Sequence, residues 1–216
     1  MSDRPVRRHP VRPKDAASLV LLRRGPEGPE VLMGRRAGGH RFLPHLYAFP
    51  GGRIDSSDRS ESRYNNLKYN DNFIESNLAC TPQQATALAV AALRETWEET
   101  GIALGRIEAG RLRPDLAGLT YLCRAITPAD SPIRFHARFF ARDVTGLPLT
   151  LGGSGELLDL AFRPLAAARA LPQADITEFV LDLLTGLGPN QAPDRHAFWR
   201  YRSGKPLIRW TNPRVT

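Results

Sequence analysis

Apolar and polar positions change rhythm several times along this chain, and each change marks an element. From Ala16 to Arg24 the run AASLVLLRR is rich in β-formers and stops at Gly25-Pro26. After Glu27-Gly28-Pro29 the apolar run resumes as EVLMGRR, so two strands joined by a hairpin loop are expected. His40 to Pro50 carries scattered aromatic and apolar positions and ends in Pro50-Gly51-Gly52, whose glycines admit positive φ or a close backbone approach. Between Asp55 and Pro82 the composition turns to Ser, Asn, Asp and Arg, with Tyr64, Leu67, Tyr69, Phe73, Ile74 and Leu78 interspersed. That stretch reads as an inserted excursion at about 59–82, partly helical at best.

The pattern then tightens. QQATALAVAALRETWEETG is dense in helix formers, follows Thr81 as an N-cap with Pro82 in the first turn, and stops at Gly101. GLTYLCRAIT and IRFHARFFARDV alternate as strands do, around the turn-forming Pro128–Pro132, and predict a second hairpin. ELLDLAFRPL reads as a further strand, and ITEFVLDLLTGL has the spacing of an amphipathic helix ended by Gly188. The mixture of strand and helix patterns, without internal repeats, predicts an α/β sandwich. The segment carrying Trp199 and Trp210 receives no assignment.

Composition bounds this picture. A chain of 216 residues with 42% hydrophobic content suffices for one sizeable core, so residues 15–216 are expected to form a single domain. Thirty Lys and Arg against twenty-two Asp and Glu leave a formal charge of +8, which favours a polyanionic partner such as a nucleotide, a coenzyme or RNA. Part of the excess is local: Arg4, Arg7, Arg8, Arg12 and Lys14 crowd residues 1–14, read as a flexible basic tail with an RNA-binding arm as the alternative. No apolar run reaches the ~18 residues of a membrane span and no secretory core is present, so a soluble, cytoplasmic protein without a membrane partner is expected. Cys80 and Cys123 are too few for a disulfide framework or a zinc cluster and are assigned no chemistry.

The candidate chemistry lies on the helix. Glu95, Glu98 and Glu99 stand at i, i+3 and i+4, so their carboxylates share an arc of about 100°, beside the apolar arc of Ala85, Ala89, Ala92, Leu93 and Thr96. Such crowding costs a bare helix a few tenths of a kcal/mol per pair. A hard divalent cation preferring oxygen ligands, Mg²⁺ or Mn²⁺, would relieve it. An ordinary solvated acidic face is the alternative for the carboxylates taken alone.

Two neighbouring features narrow the choice. Arg94-Glu95-Thr96-Trp97-Glu98-Glu99-Thr100-Gly101-Ile102 resembles the second half of the Nudix box, with Thr96 where an apolar residue is usual. Gly52 to Asp58, just after Phe49-Pro50-Gly51-Gly52, resembles the first half, ending in Asp rather than Glu. Thirty-five residues separate Asp58 from Arg94 where the family has seven, so the polar excursion interrupts the box. From Leu32 onward the chain also resembles the extra motif of the coenzyme A diphosphatase branch, through Leu32, Arg36, Ala37, Arg41 and Phe49-Pro50-Gly51-Gly52. Met33, Gly34 and His45 depart from that motif. The insertion and the Arg134-Phe135 and Arg138-Phe139-Phe140 pairs are similar to the peroxisomal members of that branch.

The resemblance implies a Nudix fold, an α/β/α sandwich with a mixed central sheet, and a metal-dependent hydrolase of diphosphate bonds. It implies Glu95, Glu98 and Glu99 as ligands of Mg²⁺ or Mn²⁺. It gives Glu98, Glu99 or a late-loop acid as the base, with Glu156 the late-loop candidate and Asp159 its substitute. Arg36 and Arg41, with Gly51 and Gly52, would bind substrate, guanidinium forks suiting phosphate. Arg94, Gly101 and Asp58 would be structural. Coenzyme A or acyl-coenzyme A is the expected substrate. Another nucleotide such as NADH, ADP-ribose or an RNA 5′ end, and a non-catalytic ligand sensor, stay open as alternatives. The expected partner is thus a small-molecule nucleotide or coenzyme rather than a nucleic acid, and a homodimer is one option for assembly.

Overall fold

The computed structural model describes residues 11–39, 42–68, 74–187 and 191–211. Its spine is strand β1 (Lys14–Gly25), which turns back through Pro26-Glu27 into β2 (Gly28–Arg36), pairing Leu22 with Val31. Lys14, counted with the basic start, is thus the first residue of the sheet; residues 1–10 lie outside the described ones. Along β1 the side chains alternate: Ala17, Leu19 and Leu21 enter one core and Val20 and Leu22 the other. A strand buried on both faces needs cover on both, which is what makes this a sandwich.

β1 is flanked on its other side by β8 (Phe135–Asp143), which runs parallel to it and antiparallel to β7 (Thr120–Ile126). Short strands β3 (Tyr47–Ala48) and β4 (Gly51–Arg53) pair with β2 and β1, and β9 (Leu157–Pro164) with β2. Beyond β7 lie β10 (His196–Arg202) and β11 (Lys205–Thr211), so the mixed sheet has nine strands among the described residues. A separate hairpin, β5 (Gly105–Glu108) and β6 (Arg111–Pro114), was not expected from the sequence. No helix among the described residues is long and apolar enough to cross a membrane.

One face is covered by the helix that carries the acid stripe. Helix α1 (Ser56–Glu61) comes first in the chain, and α2 (Pro82–Thr100) follows the excursion. Thr81 caps α2 by accepting from the Gln84 amide at 3.3 Å, and Gly101 ends it in the left-handed region at φ 76°, its N–H reaching the Trp97 carbonyl at 2.8 Å. Ala85, Leu88, Ala89, Ala92 and Leu93 pack it onto Leu19, Leu21, Tyr121 and Phe140. Thr96, the unusual residue of the box, is fully buried and donates its hydroxyl to the Ala92 carbonyl at 2.7 Å, so no polar atom is orphaned. The opposite face is covered by α3 (Leu165–Arg169) and α4 (Asp175–Thr185), through Leu165, Ala168, Val180, Leu181 and Leu184. Helix α4 stops at its C-cap Gly186, two residues before the expected Gly188.

The excursion is not a loose loop. Leu67, Ile74 and Leu78 are buried in the same core as α2, and a π-helical turn at Ile74–Leu78 brings three carbonyls onto the sheet. Tyr121 Oη and Arg124 Nε both donate to the Asn77 carbonyl at 3.0 Å, and Arg138 donates to Leu78 at 3.1 Å and Ala79 at 3.5 Å. Arg138 also pairs with Asp15, and Arg124 lies over the Phe198 ring at 3.7 Å.

Within this cluster His136 stands between Arg124, at 3.3 Å, and Asp15, at 3.9 Å. Burial, then Arg138 and Arg124, push its imidazole down to about 3. The folded value lies below the unfolded one near 6.5. The neutral ring's contribution is therefore complete above that pH and declines as the pH falls toward 3. Lowering the pH from 7 to 5 is expected to cost up to about 2 kcal/mol through this group. Urea unfolding at the two pH values, repeated on His136→Gln, checks it: the variant should lose less stability on acidification, and an equal loss would remove His136 as the cause.

Candidate active site

Where β1 changes partner from β4 to β2, the sheet opens, and the C-terminal half of α2 comes against Gly51 and Gly52. Gly51 donates its amide to Glu99 Oε2 at 2.9 Å. A Cβ on Gly52 would overlap the Glu95 carboxylate, so any larger residue here would push that carboxylate out of its present place. The result is a cleft of about 1020 Å³ into which Glu95 and Glu99 both look. Glu99 is 4% exposed. Burial, opposed by the Gly51 amide, pushes its carboxyl up to about 8, and burial also raises Glu95.

The third glutamate behaves differently. Glu98 has a side chain 47% exposed, does not line the cleft, and accepts from Arg94 Nη1 at 2.8 Å. Arg94 also donates to Glu95 at 3.0 Å and grips Asp58 with two bonds of 2.8 and 3.0 Å. Asp58 is 1% exposed and, with Asp55, forms the capping box of α1. The two halves of the interrupted box therefore meet through one guanidinium, although thirty-five residues separate them in sequence. The excursion leaves and returns on the far side, and none of its described residues lines the cleft.

Two loops complete the walls. Gly152 and Ser154 donate their amides to the Thr100 and Glu98 carbonyls at 2.8 and 3.0 Å, fastening the loop before β9 to the end of α2. That loop delivers Glu156 to the cleft, where its charge is felt by Glu99. Arg36, at the end of β2, donates Nε to the Phe42 carbonyl at 3.1 Å and lines the cleft near enough to Glu99 to lower its carboxyl. Asp159 turns away, held by Tyr47 and, at 2.8 Å, by Arg163. Arg41 lies outside the described residues. Lys14, Phe42, Phe135, Trp199 and Tyr201 also line the cleft and were not singled out as site residues by the sequence. The two-residue alternation of HAFWRYR before Ser203-Gly204 was the available sign of the strand that carries the last two.

The donor set suits a hard divalent cation. Glu95 and Glu99 are one helical turn apart, short of solvent, and offer oxygen alone. Among the described residues no three acidic, imidazole or thiol groups are gathered tightly enough to bind an ion as they stand, because Arg94 holds Glu95 and Glu98.

No sequence-family model and no curated protein matches the chain. Solved structures do. A Nudix hydrolase from Alicyclobacillus acidocaldarius is 29% identical over 82% of this chain and 93% of its own, with a TM-score of 0.67. The Nudix domain of Shewanella oneidensis NrtR, solved with ADP ribose, is 16% identical over 82% and 88%, at 0.53. The MutT protein from Bacillus halodurans is 12% identical over 91% and 97%, at 0.50. The last two speak for the fold alone. The first, joined to the mixed sheet and to the box helix against Gly51-Gly52, shows that this chain is similar to the Nudix hydrolases and shares their fold.

Proposed function

We propose that the chain hydrolyses the diphosphate bond of a nucleoside diphosphate derivative, with coenzyme A or acyl-coenzyme A cleaved to 3′,5′-ADP and (acyl-)4′-phosphopantetheine. The observation that carries the hydrolytic part is the meeting of Glu95, Glu99, Glu156 and Arg36 in one cleft. The coenzyme A part rests on the resemblance running from Leu32 to Gly52.

In-line attack of water on phosphorus builds charge on phosphoryl oxygens and on the leaving phosphate. Mg²⁺ or Mn²⁺, when bound, supplies electrostatic stabilisation of that charge. Glu95 and Glu99 would hold it, with Glu98 beside them once Arg94 lets go. Glu156, across the cleft from the helix, would orient the water and take its proton. Arg36 stands where a guanidinium can face a phosphoryl oxygen. Asp58 and Arg94 would keep the box helix in position, and Gly101 would end it. The ADP-ribose alternative draws on the fold shared with the NrtR domain.

Incubation of the purified chain with Mg²⁺ or Mn²⁺ and, separately, coenzyme A, acyl-coenzyme A, NADH, ADP-ribose and 5′-capped RNA tests the reading, with products identified by mass spectrometry. Release of 3′,5′-ADP and 4′-phosphopantetheine is expected. A different preferred substrate retires the coenzyme A assignment, and no cleavage of any of them puts ligand sensing in its place.

A further inference from the structure

The acids occupy only one end of the cleft. Its floor is a small-residue part of the sheet that borders the core under α3 and α4, and the strand register lays it out. Ala16 of β1 pairs with Ala137 of β8, Ala137 with Ala125 of β7, and Ala125 with Trp199 of β10. Three inter-strand steps of about 4.8 Å give a strip of about 14 Å, bare of large side chains until Trp199. Phe42 and Phe135 stand at its side, ring centroids 5.0 Å apart and edge to face. Small side chains beside two aromatic rings suit a planar ring within the cleft.

The rim above it is cationic. Arg12, Lys14 and Arg134 line the cleft here, and among the described residues none forms an ion pair with a carboxylate. Arg134 is held without an acid: Nη1 donates to the Val11 carbonyl at 2.7 Å and Nε to the Thr127 carbonyl at 3.2 Å. Its own carbonyl accepts from the Lys14 amide at 2.9 Å, which fixes the start of β1, and the segment with Arg12 just before it, beside Arg134. A guanidinium positioned by two backbone carbonyls has further N–H groups to offer an anion. Arg36, by contrast, stands at the acid end near Glu99.

We propose that this rim is a second anion subsite, so that the substrate carries, beyond the scissile diphosphate, an aromatic ring with a further phosphate attached to its sugar. The inference rests on the diphosphatase reading for its orientation and adds which residues take the phosphate on the sugar. It assigns the remote phosphate to Arg12, Lys14 and Arg134 and leaves Arg36 to the diphosphate.

Calorimetric titration of the full chain with adenosine 3′,5′-bisphosphate and with adenosine 5′-monophosphate, at fixed ionic strength, tests it without turnover. The wild type should bind the bisphosphate about tenfold tighter, the worth of one charge-assisted contact. Arg12→Gln with Lys14→Gln should reduce that ratio to about 2 while leaving the monophosphate affinity within about twofold. Arg134→Lys, which keeps the charge and gives up the fork, should fall between. Equal affinities in the wild type, or a ratio unchanged in the double variant, overturn the subsite. So does a short RNA that displaces both nucleotides with steep salt dependence, which would make the rim a general polyanion surface. Failure to cleave coenzyme A bears only on the diphosphatase reading, since the binding ratio is read separately.

Discussion

Glu99→Gln is expected to lower kcat about a thousandfold while the protein stays folded. Metal-centred charge stabilisation is worth several kcal/mol, and about 4 kcal/mol at 1.36 per decade gives that factor. Glutamine keeps the shape and keeps an oxygen to accept the Gly51 amide, which stands 2.9 Å from the carboxylate. Only the charge is lost. Because burial already raises the Glu99 carboxyl to about 8, removing that charge relieves a desolvation cost, and Tm should hold or rise. Glu98→Gln, at a side chain 47% exposed and turned to Arg94, is the informative companion. If Glu98 joins the site only when substrate and metal arrive, its variant should also lose turnover, in line with the family's box. Steady-state kinetics across a Mg²⁺ titration, with thermal melts of both variants, provides the check. Near-normal kcat in a folded Glu99→Gln protein would remove Glu99 from the metal site.

Arg138→Met should have the largest effect on stability. The guanidinium is 1% exposed and serves Asp15 and the carbonyls of Leu78, Ala79 and His136. Breaking a buried charged network on one side costs about 3–5 kcal/mol. At roughly 2–4 °C per kcal/mol for a chain of this size, Tm should drop by about 6–20 °C. A second substitution, Asp15→Asn, separates the two contributions. It removes the orphaned carboxylate but leaves the three carbonyls without their donor. If the double variant recovers most of the loss, the ion pair dominates; if it recovers little, the docking of the excursion does. A single variant melting within about 2 °C of the wild type would show that Arg138 does not anchor the excursion.

The excursion illustrates how far composition could go. Its Ser, Asn, Asp and Arg content set it apart from a periodic strand or helix, and that much was legible. The three apolar residues Leu67, Ile74 and Leu78 stand seven and four apart, but among polar residues with no run of helix formers around them, so nothing local says they share one core. Their burial depends on Arg124 and Arg138, which lie on strands β7 and β8 far along the chain and satisfy carbonyls that would otherwise be lost to water. Asp58 is a similar case. Its place six residues after Gly52 marked it, but its worth comes from Arg94, and the separation of thirty-five residues hid the pair.

Local pattern suffices for the elements whose periodicity and punctuation are strong: the first hairpin, the box helix from its Thr81 cap to its Gly101 stop, the second hairpin and the last helix to within two residues. It also placed Glu95, Glu98 and Glu99 on one arc, since helical spacing is a local property. Which of them face the cleft is set by packing. The 100° arc is divided by Arg94, whose guanidinium holds Glu98 outside while the Gly51 amide receives Glu99 inside. The same holds for Lys14, Arg134, Phe135 and Trp199, which share one wall because sheet register joins strands from opposite ends of the chain. A side chain's direction is written in its neighbours in sequence, whereas its charge environment and burial are set by residues that folding brings beside it.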